Sequence, residues 1–152
     1  MDEEVRIHEF RVGDEAKLIE LFSAVLPDFA PSIGSADPGS GLFLADPSSF
    51  ALGAYVGDVS AGLLWGVQMR SPKGRLTTYV HELEVGELWR RRGVATYLMT
   101  AVFALALDRG STRLWLITEA TNGPARALYD SIGGEASPTG DVIFRWPLNP
   151  PT

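Results

Sequence analysis

Two apolar runs, Phe50–Val56 and Val59–Met69, flank the dipeptide Gly57-Asp58. Gly and Asp supply the positive φ angles that a tight hairpin turn requires, so the runs are expected to pair as antiparallel strands. A second turn over Ser71–Arg75 leads into Leu76–Val85, a third strand of the same meander. The period then changes. Val94, Leu98, Ala101, Val102 and Leu105 share one face of a helix expected over Arg91–Arg109, with Gly110 as its stop. Arg113–Glu119 contains the short apolar run L-W-L-I-T, suited to a buried strand. Pro124 then opens a helix whose Ala125, Leu128, Tyr129 and Ile132 share a face until Gly133-Gly134.

The flanks extend this pattern. Val5–Arg11 reads V-R-I-H-E-F-R, the alternation of a half-buried strand, and Leu18, Leu21, Phe22 and Val25 make a helical stripe between Asp14 and Pro27. Pro27–Ser49 is rich in Pro, Gly, Ser and Asp, and is expected to be a loop with at most one helical turn near Leu42, Phe43 and Leu44. Asp141–Trp146 is expected to be a last strand and residues 149–152 a frayed tail. The expected order is β α loop β β β α β α β, a mixed-sheet α/β domain. With 152 residues, one domain over residues 1–148 is the natural organisation.

Composition removes several chemistries. The chain has no cysteine, which excludes disulfides, thiolate zinc sites and cysteine nucleophiles. Its two histidines, His8 and His81, cannot build a tetrahedral metal site without remote carboxylates, so no metal is expected. Thirteen Lys and Arg against nineteen Asp and Glu give a net charge of -6, which disfavours nucleic acid and anionic membranes and favours a cationic partner. The opening M-D-E-E is acidic where a targeting peptide would be basic, and no apolar run approaches 18 residues, so the expected location is cytoplasmic.

The strongest local signal is Arg90-Arg91-Arg92-Gly93-Val94-Ala95. A glycine and a small residue let backbone N–H groups approach an anion, the helix start adds positive potential, and arginines add bidentate donors. As a bare pattern it would arise by chance in roughly one chain in six of this length. Its position, where strand periodicity gives way to helix periodicity, is what a phosphate loop requires and a merely solvated basic helix start does not. A second constellation runs from Asn122 to Gly133, in which Asn122 either caps the helix or meets a ligand amide, and Tyr129 is either a core side chain or a reactive one.

Together these residues resemble the GNAT superfamily of acetyl-CoA-dependent N-acetyltransferases. There, a strand ending like His81-Glu82-Leu83-Glu84-Val85 precedes a Q/R-x-x-G-x-G/A loop, matched by Arg90 to Ala95. The later pattern N-x-x-A-x-x-L-Y-x-x-x-G is matched by Asn122 to Gly133. The likeness implies the GNAT fold, a single domain with a splayed, mostly antiparallel sheet flanked by helices, and acetyl-CoA as the acyl donor. It implies that backbone groups of Leu83, Glu84 and Val85 pair with the pantetheine arm. Arg90, Arg91, Arg92, Gly93, Val94, Ala95 and Thr96 would hold the pyrophosphate, Asn122 and Ala125 would contact the cofactor, and Tyr129 would protonate the leaving thiolate. One departure is Gly134, where many members carry Phe. Within the superfamily the likeness is to small aminoglycoside 3-N-acetyltransferases, carried by Tyr79–Val85 and Arg91–Thr96. Those enzymes tend to show Tyr and Asp at the positions of His81 and Glu82, and an acidic pair at those of Asn122 and Gly123.

Acetyl transfer requires a neutral amine, so a base or a water chain must take a proton from the acceptor. His81 and Glu82 are the candidates. On a plain strand Tyr79 and His81 point to one face and Glu82 and Glu84 to the other, unless a bulge intervenes. Tyr79, Glu82, Glu84 and Glu119 are expected to bind a cationic small-molecule amine, joined by Asp28, Asp37 and Asp46 of the long loop. The tryptophans are read as core or edge residues and His8 as structural. The expected reaction is acetylation of an aminoglycoside. A polyamine, an amino acid or a protein N-terminus is the alternative acceptor, a noncatalytic acyl-CoA-binding module is the alternative class, and monomer and homodimer both stay open.

Overall fold

The computed structural model describes residues 4–28 and 38–148. The elements run β1 (Val5–Glu9), α1 (Glu15–Val25), α2 (Pro38–Ala45), β2 (Ser49–Val56), β3 (Val59–Arg70), β4 (Leu76–Val85), a 3-10 turn (Glu87–Trp89), α3 (Val94–Asp108), β5 (Arg113–Leu116) and α4 (Gly123–Ser131). The chain divides into two compact units, Met1–Ile117 and Thr118–Thr152.

The first unit holds a five-stranded sheet in the order β1-β2-β3-β4-β5. The first four strands are antiparallel and β5 joins β4 in parallel, so the sheet is mixed and mostly antiparallel as expected. Gly57 sits at φ +60° in the β2–β3 turn as expected, whereas Asp58 does not take the positive φ expected of it, so glycine alone supplies the left-handed turn residue. The β4–β5 ladder covers only Thr77–Val80 against Arg113–Leu116, so β4 has a strand neighbour on one side alone from His81 onward. That is the splay.

Helices cover both faces. α1 buries Leu18, Leu21 and Val25 against Phe10, Ala51, Tyr55 and Leu63. Gly53 lets it close in, since a Cβ there would meet Leu21 Cδ2 at 2.8 Å and Phe10 Cε2 at 2.9 Å. On the other face α3 packs Val94 and Leu98 against Gly62. A polar chain ties the elements laterally: Arg109 donates to Glu9 and Gln68, Gln68 to Thr78, and Thr78 to Ser111.

Four expectations are corrected. α2 is an eight-residue helix rather than at most one turn, because Phe43 and Leu44 pack on the α1 cluster and tertiary burial overrides a composition rich in Gly and Ser. α3 begins at Val94, not Arg91, because Arg91 and Gly93 take φ +62° and +81°, outside the helical region. β5 stops at Leu116 rather than Glu119 and is half-buried at most rather than buried, because it is the edge strand of the sheet. The strand expected over Asp141–Trp146 is not formed: residues 141–148 carry no regular structure. A strand exists only by pairing, which the apolar run Val142–Phe144 cannot supply by itself. The expected tail, residues 149–152, lies outside the described residues. No helix among the described residues is long and apolar enough to cross a membrane.

Candidate active site

β4 carries the densest set of candidate side chains. Its register against β3 pairs Leu64 with Leu83 and Trp65 with Glu82, then jumps to Gly66 with Val80. His81 is therefore the extra residue of a β-bulge. The bulge resets the alternation and brings Glu82 to the side that Tyr79 and His81 occupy. Trp65 on β3 marks that side. Its indole Nε1–H donates to Glu82 Oε1 at 2.9 Å, and its ring lies 4.4 Å, centroid to centroid, from that of His81. Phe43, Trp65, His81, Tyr79 and Trp115 form a row of rings, with successive centroids 5.7, 4.4, 5.8 and 4.3 Å apart.

The bulge needs Gly66. A Cβ at this position would overlap the Tyr79 carbonyl oxygen, so only glycine allows β3 and β4 to approach where the extra residue is absorbed. Two residues beyond Glu82, Glu84 shares its face, and burial together with the neighbouring Glu82 charge pushes the Glu84 carboxyl up while Arg90 opposes the shift.

A cavity of about 600 Å³ opens beside this face. Leu18, Ile19, Phe22, Phe43 and Trp65 give it apolar walls, and Asp28 and Glu82 give it two carboxylates. It fits an amphipathic cation, whose apolar body takes the walls and whose charge meets the acids. Of the other loop carboxylates, Asp46 is committed to Ser48, whose N–H and hydroxyl it accepts at 2.9 and 2.6 Å. Asp37 lies outside the described residues. His8 is paired with Asp14 at 3.0 Å near the start of α1, a local role.

After β4 the chain makes the 3-10 turn and enters the arginine loop. Arg90 Nε donates to the Val85 carbonyl at 3.2 Å, and Arg92 lies over the Trp89 ring. Arg91 and Gly93 hold left-handed backbone, and no side chain caps the start of α3. Helix geometry leaves the N–H groups of Val94, Ala95 and Thr96 without intrahelical acceptors. A Cβ built on Gly93 meets nothing within 4 Å, so the space in front of these donors is open. Three exposed arginines, orphan amides and the helix dipole gather hydrogen-bond donors and positive potential here, an arrangement chemically suited to an anion.

The acetyltransferase (GNAT) family model matches residues 16–133, most of the chain. The chain belongs to the GNAT family. It is an acyltransferase, and its family uses acetyl-CoA. No curated protein matches it in sequence. Among solved structures, this GNAT enzyme is similar to an aminoglycoside acetyltransferase from an uncultured soil metagenomic sample, with 21% identity, TM-score 0.84, and coverage of 96% of this chain and 99% of that one. It is also similar to a second soil metagenomic aminoglycoside acetyltransferase, in complex with sisomicin, at 20% identity and TM-score 0.82 over 95% and 97% of the two chains. A ribosomal-protein-alanine N-acetyltransferase from Brucella melitensis matches at 22% identity and TM-score 0.71 over 94% and 100%. At these identities the likeness is one of fold.

The chain's own residues fit acetyl-CoA. The start of α3 is open and uncapped, as a pyrophosphate would require, and the strand edge at Leu83–Val85 lacks a β5 neighbour, as an extended amide-bearing arm would require. In the second unit of the GNAT enzyme, Asn122 Oδ1 accepts from Ala125 N–H at 3.1 Å, so its carbonyl caps α4 while its amide N–H groups stay available. Tyr129 is half-buried on α4 and Glu119 is exposed. Gly134 donates its N–H to the Tyr129 carbonyl at 2.8 Å, and a Cβ there would lie 2.9 Å from that oxygen. The departure from Phe at this position thus goes with a tight helix end. Trp65, read as a core or edge residue, packs on the α1 cluster as expected and also lines the cavity.

Proposed function

We propose that this enzyme moves the acetyl group of acetyl-CoA to an amine of a cationic, ring-bearing small molecule, with an aminoglycoside as the leading acceptor and its 3-amino group as the site implied by the resemblance. The observation that carries this reading is the bulge at His81, which sets Glu82 beside an apolar cavity that also holds Asp28. A carboxylate there attracts an ammonium and accepts its proton, leaving the neutral amine that attack requires. His81, stacked on Trp65, is the second group able to take that proton. Tyr79, Glu84 and Glu119 add acceptor contacts in this reading.

The residues Arg90 to Thr96 hold the pyrophosphate, Leu83 to Val85 pair with the pantetheine arm, and Asn122 and Ala125 complete the cofactor contacts. Acetyl-CoA supplies the activated acyl group. Tyr129 gives its proton to the departing thiolate. A composition with net charge -6 and no cysteine accords with work in the cytoplasm. Thiol release from acetyl-CoA, measured across sisomicin, spermidine, free amino acids and an alanine-terminated peptide, tests the assignment. Turnover of the peptide alone would replace the aminoglycoside reading with protein N-terminal acetylation, in line with a structural neighbour named a ribosomal-protein-alanine N-acetyltransferase.

A further inference from the structure

The Glu82 carboxylate is held unevenly. Its Oε1 accepts the Trp65 indole N–H at 2.9 Å, while Oε2 has no hydrogen-bond partner among the described residues. The donor is itself immobilised. Phe43 meets the indole edge-on at 5.7 Å and 87°, and His81 lies against it at 4.4 Å and 40°. Trp65 and Glu82 are also direct partners in the β3–β4 register, immediately next to the bulge, so their spacing is set by backbone pairing. A glutamate side chain otherwise samples many rotamers, and freezing it opposes binding and catalysis unless something else has already done so.

We propose that Trp65 is the positioning residue for Glu82, fixing one carboxylate oxygen so that the other faces the acceptor ammonium in the cavity. The inference rests on Glu82 being the group that meets the acceptor amine. It assigns Trp65 a task beyond lining a wall: the N–H, and not the ring alone, sets the direction of the carboxylate.

The ring and the N–H are separable. Trp65→Phe keeps an aromatic wall, and site-specific replacement of Trp65 by benzothienylalanine keeps the bicyclic shape and removes only the donor. Either change should lower kcat/KM by about 10-fold or more on the fastest acceptor among sisomicin, spermidine and an alanine-terminated peptide, as loss of one hydrogen bond to a charged group does. The fall should lie in kcat, with the Kd of acetyl-CoA unchanged. In a Glu82→Gln background the same replacement should cost less than about 2-fold, because no carboxylate remains to be aimed. A full additive loss in that background would overturn the positioning role. Independently of turnover, one of the four indole N–H resonances should be absent in Trp65→Phe and shifted in Glu82→Gln. An indole signal indifferent to Glu82→Gln would also sink the coupling. Wild-type kcat/KM in Glu82→Gln, with that resonance still shifted, would instead refute the role of Glu82 and leave the hydrogen bond intact.

Discussion

Gly66 and Tyr79 meet backbone to backbone across the β3–β4 pair, so closely that a Cβ on Gly66 would overlap the Tyr79 carbonyl oxygen and sit 2.9 Å from Phe50 Cζ. The contact is next to the bulge that gives Glu82 its direction. Gly66→Ala therefore forces the strands apart or slips their register. We expect a loss of at least about 3 kcal/mol in urea unfolding, at the upper end of ordinary overpacking, together with loss of kcat/KM in whatever fraction folds. A stable, fully active Gly66→Ala protein would show that the bulge is dispensable.

Gly93 has room but an unfavourable backbone. Its φ is +81° and its Cβ direction is empty. Gly93→Ala should cost only about 1–2 kcal/mol of stability, the strain of left-handed backbone. Gly93→Asp adds a negative charge in front of orphan amides, and Asp tolerates this φ, so the protein should stay folded and lose acetyl-CoA affinity. Calorimetric titration on the two variants separates strain from charge; equal, near-native affinity in both would move the pyrophosphate elsewhere.

Glu84 provides a pH signature. Burial and the Glu82 charge raise its carboxyl above the ordinary value of 4.5. Its neutral form is thus favoured in the fold, and the stability this gives is fully present below 4.5 and lost as pH rises through the raised value. Glu84→Gln removes the ionisation. Its melting temperature should exceed that of the wild type at pH 7, and the difference should vanish on acidification below 4.5. A gain that persists in acid would trace to packing rather than charge.

Acceptor recognition should be salt-sensitive. If Glu82, Glu84 and Glu119 attract an aminoglycoside, its kcat/KM should fall steeply as salt is raised to where the Debye length is about 8 Å. Charge reversal at any of the three should raise KM for the aminoglycoside and spare the Kd of acetyl-CoA. A neutral amino acid acceptor would show little salt dependence.

Tyr129→Phe tests the acid. It should lower kcat by on the order of 100-fold with little change in acetyl-CoA affinity. In the same series His81→Ala and Glu82→Gln should be compared for the acidic limb of kcat/KM: the variant that removes the limb marks the base, and retention in both points to a water chain.

The features legible in the sequence were those with local causes. The Gly57-Asp58 turn, the α1 and α3 stripes and the glycine at the start of α3 each follow from chain conformation within a few residues. The turn that precedes α3 was legible for the same reason, since Gly93 marks it within the chain itself. α2 was misread because Gly and Ser argue against a helix and only Phe43 and Leu44 packing on α1 reverses that balance.

Membership of the GNAT family, and with it acyltransfer, was carried by sequence order, because the strand, the glycine turn and the helix that mark the family are contiguous in the chain. The direction of Glu82 was not. Period-two alternation assigns it to the face opposite Tyr79 and His81, and the count is broken by one extra residue whose presence depends on β3, seventeen positions from Glu82 at the Trp65 hydrogen bond. A bulge is a property of two strands together, so no reading of β4 alone contains it. The same holds at Asp141–Trp146, whose apolar run Val142–Phe144 suits a strand but carries no regular structure, because a strand needs a partner that no local pattern supplies.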